Sequence, residues 1–223
     1  MRYGHTVRGK FLARPNRFIA HVEVDGEVQI CHVKNTGRCR ELLLSGATVI
    51  LEKSPNPNRR TAYDLVAVYK DDVLINMDSQ APNAAFAEWV RTTDYFGTLT
   101  VIKPECHFGD SRFDFYLETA ERKIFVEVKG VTLERDGVVS FPDAPTQRGV
   151  KHLLELIGAK SQGYDAYAFF VVQMSHCLRF EANRETDPAF ADALEQAKRA
   201  GVKVCVVTCR VEEDLMEIDS FLE

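Results

Sequence analysis

No run in the sequence approaches the roughly 20 apolar residues that span a bilayer, and the opening "MRYGHTVRGK" lacks the apolar core of an export leader. These absences lead to the expectation of a soluble, cytoplasmic protein with no membrane partner. The six cysteines (Cys31, Cys39, Cys106, Cys177, Cys205, Cys209) include no C-x-x-C pair. That removes the usual paired-ligand zinc site and, without an export signal, a disulfide framework. Cys205 and Cys209, inside "VKVCVVTCR", read as small apolar packing residues. Internal repeats and low-complexity tracts are also missing. What remains is a chain of 223 residues, 45% hydrophobic, long enough for one large core or two smaller ones.

The net charge of −5 argues at first against a nucleic-acid partner, but the charges are unevenly spread. Residues 1–60 carry eleven Lys/Arg against five acids, whereas residues 181–223 carry eleven Asp/Glu against five Lys/Arg. A basic front on an acidic chain can still meet phosphates, although the same arginines would also suit a plain solvated surface.

Short β-branched or aromatic-rich segments fill the first eighty residues: "TVRGKFLA", "RFIAHVEV", "VQICHV", "ATVILEK", "AYDLVAVY" and "VLINM". "PNRF", "VDGEV" and "SPNPNRR" supply turns, with Asp25-Gly26 a hairpin dipeptide. So many strands in so short a span predict a small closed barrel of OB type over residues 1–80, interrupted by a short helix at "GRCRELLL". Residues 81–223 change character. "APNAAFAEWVRTT" has a helical pattern with Phe86, Trp89 and Val90 on one side. Strands follow at "GTLTVIKPECHF", "RFDFYLE", "KIFVEVKGV" and "VVSF". A helix over "APTQRGVKHLLELIGAKSQG" is capped by Asp143 or Thr146 and closed by Gly163. "AYAFFVVQM", a helix from Pro188 to Gly201 and "VKVCVVTCRV" complete an α/β sandwich around a mixed sheet.

Within that second part, "RFDFYLETAERKIFVEVKG" places charges where a buried strand should carry Val or Ile. Strand alternation puts Phe125, Glu127 and Lys129 on one face, with Ile124, Val126 and Val128 on the other. In the preceding strand Phe113, Phe115 and Leu117 share one face, and Arg112, Asp114 and Tyr116 the opposite one. Folding the polar "ETAERK" as a hairpin brings Asp114 and Glu127 together, beside Lys129. Such carboxylates are hard ligands for Mg²⁺ or Mn²⁺, and the lysine can orient a water, so the three are candidate catalytic residues. A simple ion pair on a solvated sheet face is the alternative. On the following helix Gln147, Arg148, Lys151 and His152 share a face that could meet a phosphate backbone. His152 could instead be a metal ligand, and Glu88 could project a third carboxylate.

The order of Asp114 and then Glu127-Val128-Lys129 resembles the PD-(D/E)-x-K nuclease superfamily, with Phe113 where that signature often has Pro. The longer blocks "VKNTGRCRELL", "GDSRFDF", "EVKGVTL" and "FPDAPTQRGVKHLLEL" resemble the sugar fermentation stimulation protein A family, across nearly the whole chain. The resemblance implies an OB-like domain followed by a restriction-endonuclease-like domain. It also implies non-specific DNA binding and a regulatory role in sugar (maltose) metabolism.

Three functions follow as expectations. One is a DNA-binding protein, suited to single strands. Its barrel would present Arg14, Arg17, Arg38 and Arg40, and Phe11, Phe18 and Tyr63 would be either stacking platforms or barrel core. The second is a Mg²⁺- or Mn²⁺-dependent phosphodiesterase with Asp114 and Glu127 as metal ligands, helped by the Val128 carbonyl, and Lys129 positioning water. The third is a catalytically inactive regulator sensing a small metabolite between the domains.

Overall fold

The computed structural model describes residues 1–35, 37–109 and 111–222. Thr36 and Asp110, which belong to two of the family-like blocks, lie outside the described residues. Six strands open the chain: β1 (Thr6–Asn16), β2 (Ile19–Val24), β3 (Glu27–Val33), β4 (Thr48–Lys53), β5 (Tyr63–Lys70) and β6 (Val73–Asn76). They pair in the order β3-β2-β1-β4-β5-β6, and a parallel β3–β5 pairing, Cys31 with Tyr63 and Val33 with Leu65, closes the first five into an OB-like barrel. Asp25 and Gly26 both take positive φ, 52° and 82°, the conformation a tight β2–β3 hairpin requires. Ala20, Val22 and Val24 point into the barrel while Glu23 faces solvent. The helix expected at residues 37–44 does not form. Cys39 adopts a left-handed φ of 43°, and the Leu42 and Leu43 N–H groups both donate back to its carbonyl, which coils the segment into turns. Its apolar residues still serve the core, where Cys39, Leu42 and Leu43 are buried.

The remaining chain runs α1 (Ala81–Trp89), β7 (Val101–Phe108), β8 (Ser111–Glu118), β9 (Lys123–Val131), β10 (Leu133–Arg135), β11 (Val138–Phe141), α2 (Gln147–Ser161), β12 (Asp165–Val172), β13 (Arg179–Ala182), α3 (Pro188–Arg199), β14 (Lys203–Glu212) and β15 (Leu215–Phe221). Its main sheet has the order β15-β14-β12-β9-β8-β7 and is mixed: β9, β12 and β14 are parallel, the flanking strands antiparallel. Strands β10, β11 and β13 form a separate small sheet. α1 covers one face of the main sheet, with Phe86 packed on Phe115 and Phe169 at ring distances of 4.8 and 4.9 Å. α2 and α3 cover the other through Leu153, Leu156, Phe190 and Leu194. Burial on both faces explains why β9 and β12 read as nearly continuous apolar runs. Thr146, not Asp143, caps α2 by accepting the Gly149 N–H at 2.9 Å. Asp187 caps α3 and also accepts the Thr146 N–H at 2.8 Å, which ties the two helix starts together. Both helices end at left-handed glycines, Gly163 and Gly201.

A buried polar network joins the barrel to the sheet. The Gln173 amide nitrogen donates to Asn76 O and Oδ1 and to Asp78 O, at 3.0–3.1 Å. Asn76 donates to the Tyr3 hydroxyl at 2.7 Å, and Lys34 pairs with Asp78 at 2.8 Å. Losing one partner from such a network costs about 1–3 kcal/mol, and one apolar cluster also runs from barrel to sheet, so the two parts keep a fixed relation. Among the described residues no helix is long and apolar enough to cross a membrane.

Candidate metal and nucleic-acid site

The charged residues of β8 and β9 meet where the two strands separate. Their ladder runs from Glu118–Lys123 to Phe115–Val126 and stops there. In the next position Asp114 Oδ2 accepts the Val128 N–H at 2.8 Å, taking the place of a main-chain carbonyl. Its other oxygen accepts from Asn83 Nδ2 on α1 at 2.9 Å. Phe113, expected beside Phe115 and Leu117, packs instead on Phe108 and Phe125, with ring distances of 5.9 and 5.2 Å. The strand is released from β9 at this point, so the alternation of its paired portion does not carry through.

Glu127 is only 3% exposed. Its Oε1 accepts from Lys129 Nζ and from His152 Nδ1, while Oε2 is buried with no partner among the described residues. Arg148 Nε donates to His152 Nε2 at 3.4 Å, which leaves the ring proton on Nδ1, facing Glu127. The two carboxylates are driven apart in acidity. Burial, then the charge of Glu127, raises the Asp114 pKa against the opposing pull of Lys129, the Val128 N–H and Asn83. Burial also pushes Glu127 upward, but the His152 hydrogen bond and the Lys129 charge outweigh it, so its pKa falls. Asp114, Glu127 and the backbone offer hard oxygen donors. Among the described residues no three His, Cys, Asp or Glu side chains converge into a complete cage. Two carboxylates without a third converging His or Cys among the described residues do not make a closed zinc site.

The structure distributes the other sequence-derived candidates unevenly. Gln147, Arg148 and Lys151 are exposed on the first turns of α2, beside buried His152, and Lys151 lies 3.6 Å from Glu155. Arg14, Arg17, Arg38 and Arg40 line a single cleft of about 280 Å³ on the barrel. Within it Arg17, Arg38 and Arg40 are exposed. Arg14 departs from the expected role of phosphate contact. Its guanidinium donates to the carbonyls of Arg17, Asn35, Gly37 and Arg38 at 2.7–2.9 Å, so it braces the loops that carry the others. Phe11 is barrel core at 3% exposure, and Tyr63 is half-buried against the same core. Phe18 stands 45% exposed with the Arg17 guanidinium 5.0 Å from its ring centre. Glu88 is no third ligand: it points to solvent and pairs with the N-terminal amine at 2.7 Å, because its helix turns Phe86 and not Glu88 toward the sheet. Asn83 was not foreseen. It lies 31 residues from the carboxylate it holds, and only its neighbour Pro82, which marks a helix start, hints at its position.

Comparison with known proteins agrees with this architecture. Residues 12–77 match the model of the SfsA N-terminal OB domain, and residues 80–215 that of the sugar fermentation stimulation protein RE domain. A sugar fermentation stimulation protein homolog from Clostridium beijerinckii is 52% identical over 223 residues, covering 100% of this chain and 99% of that one. A Desulfitobacterium hafniense homolog is 56% identical over 222 residues, with 100% and 97% covered. The solved structure of Pyrococcus furiosus SfsA in complex with Ca²⁺ superposes with a TM-score of 0.89 at 26% identity, covering 100% of this chain and 96% of that one.

Proposed function

The chain belongs to the sugar fermentation stimulation protein family, and from that premise we propose that it is a non-specific DNA-binding protein, favouring single strands, with a Mg²⁺- or Mn²⁺-dependent nuclease site. One observation carries the nuclease reading: Glu127 Oε2, a buried carboxylate oxygen with no partner among the described residues, beside a second carboxylate whose burial holds its pKa up. Leaving such an oxygen unsatisfied costs about 1–3 kcal/mol or more, a cost that a cation removes. The Pyrococcus furiosus relative is a Ca²⁺ complex, and Ca²⁺ is a hard, oxygen-seeking cation of the kind this donor set suits.

Asp114, Glu127 and the Val128 carbonyl would hold the cation, which when bound lowers the pKa of a coordinated water and neutralises charge on a phosphodiester. The chain's own groups do the rest. Lys129, mostly buried and anchored on Glu127, orients the attacking water. Asn83 and the Val128 N–H hold the Asp114 carboxylate, and His152 holds Glu127. Arg148, Lys151 and Gln147 meet phosphates next to the cut. Arg17, Arg38 and Arg40 carry the strand across the barrel, where Phe18 gives a base a stacking surface. A regulatory role in sugar (maltose) metabolism is part of the same proposal and rests on the family alone.

Labelled single- and double-stranded DNA, incubated with Mg²⁺, Mn²⁺ or EDTA, tests the reading, with Glu127→Gln beside the wild type. Metal-dependent cutting that the substitution abolishes is the result expected. Salt-sensitive binding without cutting under any condition removes the nuclease half and leaves a catalytically inactive regulator.

A further inference from the structure

A second cleft, of about 250 Å³, opens between the barrel and the sheet, at the carboxyl ends of the parallel strands β9 and β12. Open α/β sheets commonly bind ligands at that end of their strands. Gly37 belongs to the walls of both this cleft and the arginine cleft, so the two adjoin. Its bare backbone brings the barrel loop close: a Cβ there would stand 3.0 Å from Asp143 Oδ2. Gly130, which follows Lys129 on β9, forms part of the lining as well.

The lining is weighted toward hydrogen-bond acceptors, with hydroxyls that can also donate. Gln173 is 2% exposed, and three acceptors around its amide nitrogen fix its orientation. Its Oε1 takes no hydrogen bond from the described residues and faces Gly130, where a Cβ would collide with it. Asp143 is the one charged side chain of the described lining, and among the described residues it has no ion-pair partner. Thr132 and Ser140 add hydroxyls, and half-buried Phe141 an aromatic wall held edge-to-face on Phe190 at 5.0 Å. Acceptors and a negative charge repel phosphate and invite neutral N–H donors. A volume below the range of drug-sized sites admits about one ring system.

We infer that this cleft receives a single unstacked nucleobase carrying an exocyclic amine, while the adjoining arginines hold that nucleotide's backbone. The amine donates to Gln173 Oε1 and Asp143, and the ring lies against Phe141. The inference rests on the DNA-binding reading and adds to it a modest preference for cytosine or adenine over thymine beside the cutting site.

The test compares binding of short oligodeoxycytidylate, oligothymidylate and fully abasic strands, each about a dozen nucleotides long, to the full chain. Expected is binding of the cytidylate about threefold tighter than the thymidylate and about tenfold tighter than the abasic strand. Asp143→Ala should reduce the preference for cytidylate over thymidylate, with Gln173 Oε1 the remaining acceptor, and leave the salt dependence unchanged. An unaltered preference would overturn the assignment of Asp143. Arg38→Ala with Arg40→Ala should weaken all three strands in the same ratio. Equal binding of cytidylate and abasic strands, with salt-sensitive affinity intact, overturns the base cleft and spares the DNA-binding reading. No binding of any strand overturns both. Displacement of a bound strand by millimolar D-glucose, lost in Asp143→Ala, would assign the cleft to a free sugar and overturn the inference.

Discussion

The barrel cleft and the β8–β9 fork both gather charge, yet they hold it in opposite states. Arg17, Arg38 and Arg40 stand in solvent around a cleft, with Arg14 bracing the loops beneath them. Glu127, Lys129 and His152 are packed inside, joined to one another, and one carboxylate oxygen is left over. Solvated cations are suited to a mobile polyanion: each contributes a little, in any register, and salt competes with them. Buried, mutually oriented charges are suited to chemistry at one point, since low dielectric magnifies each interaction and packing fixes its geometry. The division predicts that binding and cutting can be separated by substitution.

The sharpest break should come from Glu127. Glu127→Gln should lower metal-dependent cutting by at least about 10²-fold and change strand affinity by no more than about twofold. Glu127→Ala should in addition destabilise the fold by about 3 kcal/mol, read by denaturant unfolding, because Lys129 would lose its direct ion-pair partner and the buried His152 its hydrogen-bond acceptor. Equal loss of binding and cutting in the Gln variant would erase the distinction between the two regions. The converse experiment is next in size. Arg38→Ala with Arg40→Ala should weaken strand binding about tenfold at moderate salt and make the log–log salt slope shallower by about 1.4, as for two phosphate contacts on a single strand. The single-turnover rate with protein in excess should not change.

Asn83→Ala should act more gently. It removes the donor that orients Asp114 from α1, so cutting should fall about tenfold, and the metal concentration for half-maximal rate should rise, without effect on binding. The smallest effect is on stability against pH in EDTA. The Asp114 pKa is raised in the folded chain, so its contribution is fully present below the ordinary value of 3.8 and is lost as pH rises through the raised one. Glu127 runs the other way: its lowered pKa supplies stability above the ordinary 4.5 that is lost as pH falls. Asp114→Asn should therefore raise Tm at neutral pH by a few degrees, taking about 2–4 °C per kcal/mol for a chain of this size, and the advantage should vanish in acid. A lower Tm for Asp114→Asn at neutral pH would mean that its carboxylate stabilises the fold.

Much of this was legible in the chain. Period-two alternation and a polar hairpin bring β8 and β9 together up to Phe115–Val126, but the ladder ends there, and the hydrogen bond that seats Asp114 on the Val128 N–H has no signature in the spacing. The OB-like barrel followed from the density of short strands and from the Asp25-Gly26 turn. Contacts made between elements were not legible. Asn83 reaches Asp114 from α1, and apart from Pro82, which marks the helix start, nothing in its local pattern points to that contact. Arg14 looked like any other surface arginine until the loop carbonyls of Asn35, Gly37 and Arg38 closed around it. The segment at residues 37–44 has a helical composition, but one left-handed residue, Cys39, overrides it. Strands β13 and β15 escaped notice because their outward residues are polar, as suits β15 at the edge of its sheet.

Calorimetric titration of Mn²⁺ into the chain, with an uncleavable phosphorothioate single strand bound, tests most directly whether the buried fork is a metal site. One site that disappears in Glu127→Gln and survives Arg38→Ala with Arg40→Ala is the result predicted. Mn²⁺ uptake that Glu127→Gln leaves unchanged, or no uptake by the wild type, would contradict it.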